Sequence, residues 1–287
     1  KEYFHHKNQI RSILQKIYFR IIISRIFRRN FSTANILIYP SEIIKNFIIC
    51  GGNHSISVIS LNEKSVTQIL KYKYDQSLIK ASISIRLEYP FLPAPKIIGY
   101  SFENNWIEQE WVEALPINRI KNKVIKKQAL LYANKKMIEL YENTLEVINL
   151  KLWLNQIYKD IQDNINRLPS LYNQEFKSEL EIMIKFIMQS KFIKESLAKK
   201  IHIAMTHGDY SDANILITNN KNFVNNVCLI DWEYAKKRFI LYDFFVLKFK
   251  TRFKNEFRRN INNFLKSSRS FSKHESFLIE NYCTNFS

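Results

Sequence analysis

The fold is decided by the segment Thr206-His-Gly-Asp-Tyr-Ser-Asp-Ala-Asn-Ile-Leu-Ile217, which a second segment, Leu229-Ile-Asp-Trp-Glu-Tyr234, follows along the chain. Asp209 and Asn214 lie five positions apart, and Asp231 ends a short apolar run. A carboxylate that accepts a hydroxyl proton, and an amide plus a second carboxylate as oxygen ligands for Mg²⁺, are the parts of a phosphoryl-transfer site. The pattern therefore predicts such a site between two short apolar strands.

The residue pattern of the chain before this region predicts β-structure. Alternating apolar residues predict strands, and polar or glycine-containing turns separate them. A helical stretch is predicted between the third and fourth strands, and three prolines after it favour extended backbone. The predicted strands are 45–50, 55–61, 66–71, 97–102 and 106–111, and the predicted helix is 76–88.

The texture changes after Pro116, where apolar residues recur at helical spacing through about 122–148, 150–168 and 175–200. We therefore expect an α+β protein with a small β-rich lobe followed by a larger helical lobe. The predicted domains are a basic helical extension at 1–44, a small lobe at 45–113 and a helical lobe at 114–287.

Composition excludes several classes of protein. The 287 residues are 46% apolar, with only four glycines and three widely separated cysteines, so collagen-like, disordered and disulfide-dense proteins are excluded. The cysteines form no CxxC pair, which argues against a zinc site and favours a reducing, cytoplasmic compartment. The net charge of +18 favours anionic partners such as nucleotides and phosphates, or it reflects compositional background.

The N-terminal segment does not read as a membrane span. Its most apolar stretch, residues 17–27, is interrupted by Arg20 and Arg25, and no small-residue cleavage site of a signal peptide follows it. A basic helix that docks at the inner membrane surface is one interpretation. An element that packs on the rest of the protein is the other.

The two C-terminal motifs together resemble the aminoglycoside phosphotransferase and choline kinase family, whose members have a two-lobed, protein-kinase-like fold. The resemblance spans about residues 45–250. It implies that Asp209 is the catalytic base, with His207 supporting the catalytic loop, and that Asn214 and Asp231 bind Mg²⁺. It also implies that Asp243 braces the catalytic loop.

The same resemblance assigns nucleotide binding to the small lobe. Gly51 and Gly52 would let backbone N–H groups approach the phosphates of ATP, although the pair also fits an ordinary hairpin turn, and no P-loop motif is present. Lys71 would neutralise the α- and β-phosphates, with Lys73 as its competitor.

Two further features of the nucleotide site follow from the resemblance. Glu110 and Val112, in the connection between the lobes, would hold the adenine through their backbone, while Trp111 packs. A glutamate on the predicted helix should pair with Lys71. The expected region contains no acid, and Glu88 and Asp75 are the nearest candidates.

The prediction is an ATP- and Mg²⁺-dependent phosphotransferase that acts on a hydroxyl of a small molecule or saccharide. The stretches His207–Tyr210 and Ile230–Tyr234 also resemble family members associated with surface-polysaccharide synthesis, which implies a link to that process. The missing helix acid keeps a pseudokinase, a nucleotide-binding or interaction module, as an alternative. An aminoglycoside antibiotic kinase is a second alternative, although a strongly basic chain is a poor host for polycations. Specific nucleic-acid binding is not expected.

Overall fold

The fold was analysed in a computed structural model, in which residues 47–52, 54–72, 74–167, 197–219, 224–266 and 271–283 are described, together with isolated positions between 178 and 190. The predicted extension at 1–44 and most of the predicted helix at 175–200 lie outside these residues. Side chains are described throughout these ranges except at 164–167, 254 and 265.

The small lobe is built on a five-stranded antiparallel sheet with the order β1-β2-β3-β5-β4. A helix, α1, packs on this sheet, and its Ile79 and Ile83 form a small core with Ile107 of β5. The alternating sequence thus places one apolar face of the sheet under the helix. The elements are β1 Phe47–Gly51, β2 Ser55–Ser60, β3 Ser65–Leu70, α1 Ser77–Glu88, β4 Ile97–Ser101 and β5 Trp106–Glu110.

The predicted elements of this lobe are confirmed to within a few residues. Lys71 lies one residue past β3, where its backbone N–H donates to the carbonyl of His54 at 2.9 Å. The sheet and helix of this lobe, together with the helices described after it, confirm the predicted α+β fold class.

Two long helices follow, α2 Lys123–Thr144 and α3 Leu150–Arg167. The carboxamide of Asn122 caps α2 by accepting from the N–H groups of Val124 (2.9 Å) and Ile125 (3.2 Å). The buried positions of α2 recur every three or four residues. They are Ala129, Ala133, Met137, Leu140, Tyr141 and Thr144.

The expectation of a largely helical region after Pro116 needs a correction, because two small three-stranded sheets are also present there. One has the order β10-β9-β6 and the other β11-β8-β7. Two of the strands, β9 and β10, are the short apolar strands predicted beside Asn214 and Asp231. The others are three to seven residues long, and several are polar, so they carry too little alternation to be recognised. They are β6 Ala114–Pro116, β7 Glu146–Asn149, β8 Lys200–Thr206, β9 Ile215–Thr218, β10 Val227–Leu229 and β11 Lys236–Phe239.

The chain closes with three helices, α4 Tyr242–Phe249, α5 Lys254–Lys266 and α6 Lys273–Tyr282. Phe244 of α4 and Leu278 of α6 join α2 and the two small sheets in the main core. This core surrounds the segment around His207. In the described ranges, no helix combines the length and apolar character needed to cross a membrane.

Candidate active site

The segment between β8 and β9 carries Asp209 and Asn214 and is called the catalytic loop below. Asp209 is 7% exposed and Asn214 is 3% exposed. The amide nitrogen of Asn214 donates to the Asp209 carboxylate (Oδ2, 2.8 Å) and to the Asp209 backbone carbonyl (2.9 Å). These bonds fix the carboxylate, and both use the amide nitrogen of Asn214 rather than its amide oxygen.

Asp243, at the start of α4, holds the backbone of the catalytic loop. Its carboxylate accepts from the N–H groups of His207 (2.7 Å) and Gly208 (2.9 Å) and from the Tyr141 hydroxyl (2.9 Å). Complete burial raises the pKa of Asp243, while the three donors favour its ionised form and oppose that shift. The geometry is the one expected of a brace.

Gly208 is required by its conformation and its surroundings. Its φ is +84°, and a Cβ at this position would lie 2.1 Å from the carbonyl oxygen of Tyr234 and 2.8 Å from Arg238. A glycine is therefore needed here because the segment at Tyr234 crosses the catalytic loop at this point.

His207 joins the catalytic loop to the strand end that carries Asp231. Its Nε2 donates to the carbonyl of Ile230 at 2.8 Å, and its Nδ1 accepts from the Asp209 N–H at 3.3 Å. Burial lowers the pKa of His207 to about 4, so the ring is neutral at pH 7. Because the ring is fully buried, His207 has the geometry of a positioning residue.

Asp231 lies beside Asn214 at the end of β10. The Ile230 N–H donates to the Asn214 carbonyl at 3.1 Å, which holds the two segments together. Asp231 has a left-handed backbone (φ 63°), and burial raises the pKa of its carboxyl. A desolvated carboxylate suits a hard divalent cation, whose charge would compensate the cost of burial. The chemistry of Asp231 and of the Asn214 amide therefore fits Mg²⁺.

Arg86 is a site residue that the sequence reasoning missed. It lies on the buried face of α1, where it donates to the Ser82 carbonyl (2.8 Å) and to the side chain of Gln109 (2.6 Å). Burial lowers the pKa of Arg86 to about 10, and the negative charge of the nearby Asp231 carboxylate opposes this shift. Arg86 is therefore a cation in the part of α1 where we expected the acidic partner of Lys71.

The two acids considered as partners of Lys71 lie at the two ends of this helix. Asp75 accepts from the N–H of Ser77 at 2.9 Å in the turn before α1. Glu88 accepts from the Tyr89 hydroxyl at 2.7 Å at the exposed end of the helix. The buried face of α1 consists of Ile79, Ser82, Ile83, Ile85 and Arg86.

The glycine pair and Lys71 meet at the turn between β1 and β2. The Gly52 N–H donates to the Ser55 carbonyl at 2.9 Å, and the Lys71 ammonium donates to the Gly52 carbonyl at 2.5 Å. Gly51 is exposed, with no atom within 4 Å of a Cβ built on it. The structure therefore brings together the three residues predicted to bind phosphate.

A contact that the sequence did not reveal links this turn to the catalytic half of the site. The Tyr234 hydroxyl lies 2.6 Å from Nε2 of His54, and the Tyr74 ring meets His54 edge-on at 5.3 Å. Tyr234 belongs to the short 3₁₀ helix that follows Asp231. A hydrogen bond thus joins the turn between β1 and β2 to the segment that follows Asp231.

The predicted adenine-binding segment follows β5. The Glu110 carboxylate accepts from the Lys96 N–H at 2.9 Å, and the Glu110 N–H donates to the Lys96 carbonyl at 3.0 Å. The Trp111 N–H donates to the Lys64 carbonyl at 2.7 Å. These bonds hold the backbone that leads through Val112 to β6.

Arg252 is the second basic residue that the sequence reasoning did not single out. It lies in the turn between α4 and α5, and its guanidinium Nη2 forms an ion pair with Oδ2 of Asp209. The Arg252 side chain is 46% exposed, whereas that of Asp209 is 10% exposed. A cation from the C-terminal helices thus reaches the candidate catalytic base.

Comparison with known proteins identifies the class to which this site belongs. Residues 167–269 match the model of the APH family, described as the phosphotransferase enzyme family. This range contains the catalytic loop, Asp231, Asp243 and Arg252. The match confirms the resemblance given by the two motifs and supports a kinase-type phosphotransferase enzyme. Among curated proteins, none matches the chain.

Several solved structures are similar to the chain. A choline/ethanolamine kinase family protein from Mesorhizobium loti is 11% identical, with a TM-score of 0.42, over 87% of this chain and 76% of that one. Choline kinase LicA from Streptococcus pneumoniae is 14% identical, with a TM-score of 0.46, over 93% and 85%. The streptomycin–ATP–APH(2")-IIa ternary complex gives 16% identity and a TM-score of 0.49 over 81% and 84%.

Proposed function

We propose that this protein is an ATP- and Mg²⁺-dependent phosphotransferase that transfers the γ-phosphoryl group of ATP to a hydroxyl of a small molecule or saccharide. The observation that carries the proposal is the fixed arrangement of Asp209, Asn214 and Asp231, together with the family match over residues 167–269. An oriented carboxylate beside two oxygen ligands is the arrangement that phosphoryl transfer needs.

In this proposal Asp209 receives the proton of the acceptor hydroxyl. The hydroxyl oxygen forms a bond to the γ-phosphorus as the bond from that phosphorus to the β,γ-bridging oxygen breaks. The electron pair of the broken bond stays on ADP. Asn214 and Asp231 would hold Mg²⁺, which supplies positive charge to the phosphate oxygens.

The rest of the chain orients these groups. Asp243 and His207 hold the catalytic loop against the end of β10, so Asp209 needs little reorganisation when the acceptor binds. Gly51, Gly52 and Lys71 would contact the triphosphate. The backbone at Glu110 and Val112 would hold the adenine.

The charge on the C-terminal side favours a neutral or anionic acceptor. Arg252 contacts Asp209, and the neighbouring helix α5 exposes Arg258 and Arg259. A polycationic aminoglycoside would be repelled by this surface. A sugar or other hydroxyl compound with a negative group fits it better, which agrees with a role in surface-polysaccharide synthesis.

The experiment is a screen for acceptor-stimulated release of ADP from MgATP. The acceptors are hexoses, sugar phosphates, polysaccharide precursors, choline, ethanolamine and aminoglycosides. Asp209→Asn serves as the blank, because it keeps the size of the side chain and removes the proton acceptor. Removing a general base slows transfer by about 10²–10⁴-fold.

Asp212→Asn is the matched control, because it changes an acid of the same loop that lies 4.0 Å from Lys126 and accepts no bond from Asn214. We expect it to keep the wild-type rate. An Asp209→Asn variant as active as wild type would overturn the role of Asp209. If wild type bound MgATP but phosphorylated none of these acceptors, the alternative of a nucleotide-binding module would be supported instead.

A further inference from the structure

We infer that Arg252 contacts the transferred phosphoryl group, and that its ion pair with Asp209 is the position it takes before ATP binds. The inference rests on the proposed function, since it names a further residue of the same site. Arg252 would be a catalytic residue supplied by the connection between α4 and α5, outside the two motifs.

The connection that carries Arg252 has a defined shape. Lys250 ends α4 with a left-handed backbone (φ 51°), and its carbonyl accepts from the Phe253 N–H at 3.0 Å. The Lys250 ammonium pairs with Glu256 of α5 at 3.0 Å. These two interactions restrain the turn, so Arg252 has a defined position beside the catalytic loop.

Arg252 contacts the carboxylate group of Asp209, which is the part of the proposed base that would accept the proton. Arg252 meets Oδ2 of Asp209, the same oxygen that accepts from Asn214. An acceptor hydroxyl on this carboxylate would bring its oxygen to about 3–3.5 Å from the γ-phosphorus. A guanidinium in contact with the carboxylate is therefore within reach of the phosphoryl oxygens, which it matches in geometry.

The catalytic loop supplies no positive charge that could contact the transferred phosphoryl group, so such a charge must come from another part of the chain. The four residues between Asp209 and Asn214 are Tyr, Ser, Asp and Ala, so the loop contributes no cation. The hydroxyl of Ser211 is buried and has no hydrogen-bond partner among the described residues. A polar atom left in this state is consistent with a ligand at the loop.

The second arginine near the loop, Arg238, is already engaged in the structure. Its Nη1 donates to the Thr206 hydroxyl at 2.9 Å and to the Tyr234 carbonyl at 2.8 Å, and its guanidinium lies over the Tyr242 ring at 4.8 Å. Arg252 differs because its side chain is half exposed, so its pair with Asp209 can be exchanged for a phosphate at little cost.

The experiment compares the affinities of the non-hydrolysable ATP analogue AMP-PNP and of ADP, both with Mg²⁺, by calorimetry on the full chain. In wild type we expect the analogue to bind more tightly, because Arg252 contacts its γ-phosphate. Arg252→Ala should lower affinity for the analogue about tenfold or more, as expected for a lost charge-assisted hydrogen bond, and leave ADP unchanged. Arg252→Lys should restore part of the difference.

Arg258→Ala is the matched control, since it removes the same charge from an exposed position of α5 and should change neither affinity. Equal losses for both nucleotides in Arg252→Ala and Arg252→Lys would mean that Arg252 is structural and would overturn the inference. Tighter binding of the analogue by Arg252→Ala would also overturn it, because Arg252 would then be an inhibitory residue. If wild type bound neither nucleotide, the proposed function itself would fail.

Discussion

A methyl group at Gly208 would lie 2.1 Å from the Tyr234 carbonyl, whereas a methyl group at Gly51 would meet no atom within 4 Å. Gly208 belongs to the buried catalytic loop, which Asp243, His207 and Asn214 hold through hydrogen bonds. Gly51 is the exposed last residue of β1, next to the turn at which we expect the phosphates to bind. The difference teaches that the catalytic loop is built by the protein itself, while the glycine turn leaves space for a ligand.

The largest expected effect follows from substituting these two glycines. Gly208→Ala combines a left-handed backbone with a steric clash, so it should lower the free energy of unfolding by about 3–5 kcal/mol. Gly51→Ala is its control and should change that free energy by about 0.5 kcal/mol or less. Thermal or chemical unfolding measures both, and equal stability of the two variants would contradict the comparison.

Gly51→Ala can also be tested through its effect on MgATP binding, because this variant should fold normally. The protein without nucleotide has room for the methyl group, but a phosphate drawn against the backbone would lose that room. We therefore expect weaker MgATP binding with unchanged stability of the ligand-free protein. Unchanged affinity would mean that the turn is an ordinary hairpin.

The brace of the catalytic loop provides the next effect. Asp243→Asn keeps the size of the side chain but leaves one oxygen to accept where the carboxylate accepts three bonds. Loss of buried hydrogen bonds should lower the free energy of unfolding by about 1–3 kcal/mol. Asp75→Asn is a control, since its carboxylate lies in the turn before α1 rather than in the catalytic loop. If both variants lowered the free energy of unfolding by the same amount, Asp243 would have no special role in holding the catalytic loop.

The buried histidine predicts a dependence of stability on pH. The pKa of His207 falls from 6.5 to about 4 on folding, so between these values the unfolded chain binds a proton that the folded protein does not. Stability should therefore fall as the pH drops from 6.5 towards 4, by up to about 1.4 kcal/mol per pH unit from this residue.

His207→Gln isolates this contribution, because glutamine keeps a donor and does not titrate. The carboxyls of Asp231, Glu233 and Asp243 have raised pKa values and act in the opposite direction, so the difference between wild type and variant is the quantity to measure. The same slope in both proteins would refute the assignment of a neutral, buried His207.

The smallest effect concerns the link between the two regions. Tyr234→Phe removes the hydroxyl that bonds His54 and should lower the free energy of unfolding by about 1 kcal/mol. Because the hydroxyl holds the glycine turn against the metal side, MgATP affinity should also change. Tyr100→Phe, which changes an exposed hydroxyl on β4, is the control. If the two variants had the same stability and the same MgATP affinity, the bond between Tyr234 and His54 would not couple the two regions.

Much of the fold was predictable from the sequence because its signals are local. The alternation in β2 and β3 and the prolines after α1 gave the small lobe to within a few residues. Short strands such as β6, β7 and β11 were missed because their partners lie far along the chain. For example, β6 pairs with β9, about a hundred residues later.

The candidate site was predictable only where residue type and spacing carry the chemistry. Asp209, Asn214 and Asp231 form such a pattern. In the structure Asn214 bonds the Asp209 carboxylate, and its backbone carbonyl accepts from Ile230, the residue before Asp231. Arg86 and Arg252 carry no local signal, since each is one basic residue in a basic chain. Only the packing of α1 and of the turn before α5 shows that both lie beside the acids of the site.

The most direct test of the proposed function is calorimetric binding of ATP with and without Mg²⁺, in wild type and in Asp231→Asn. The account predicts that Mg²⁺ strengthens ATP binding to wild type, and that Asp231→Asn loses most of this gain while its ligand-free stability is retained. An affinity that does not depend on Mg²⁺ in wild type, or an Asp231→Asn variant with the full wild-type gain, would contradict it.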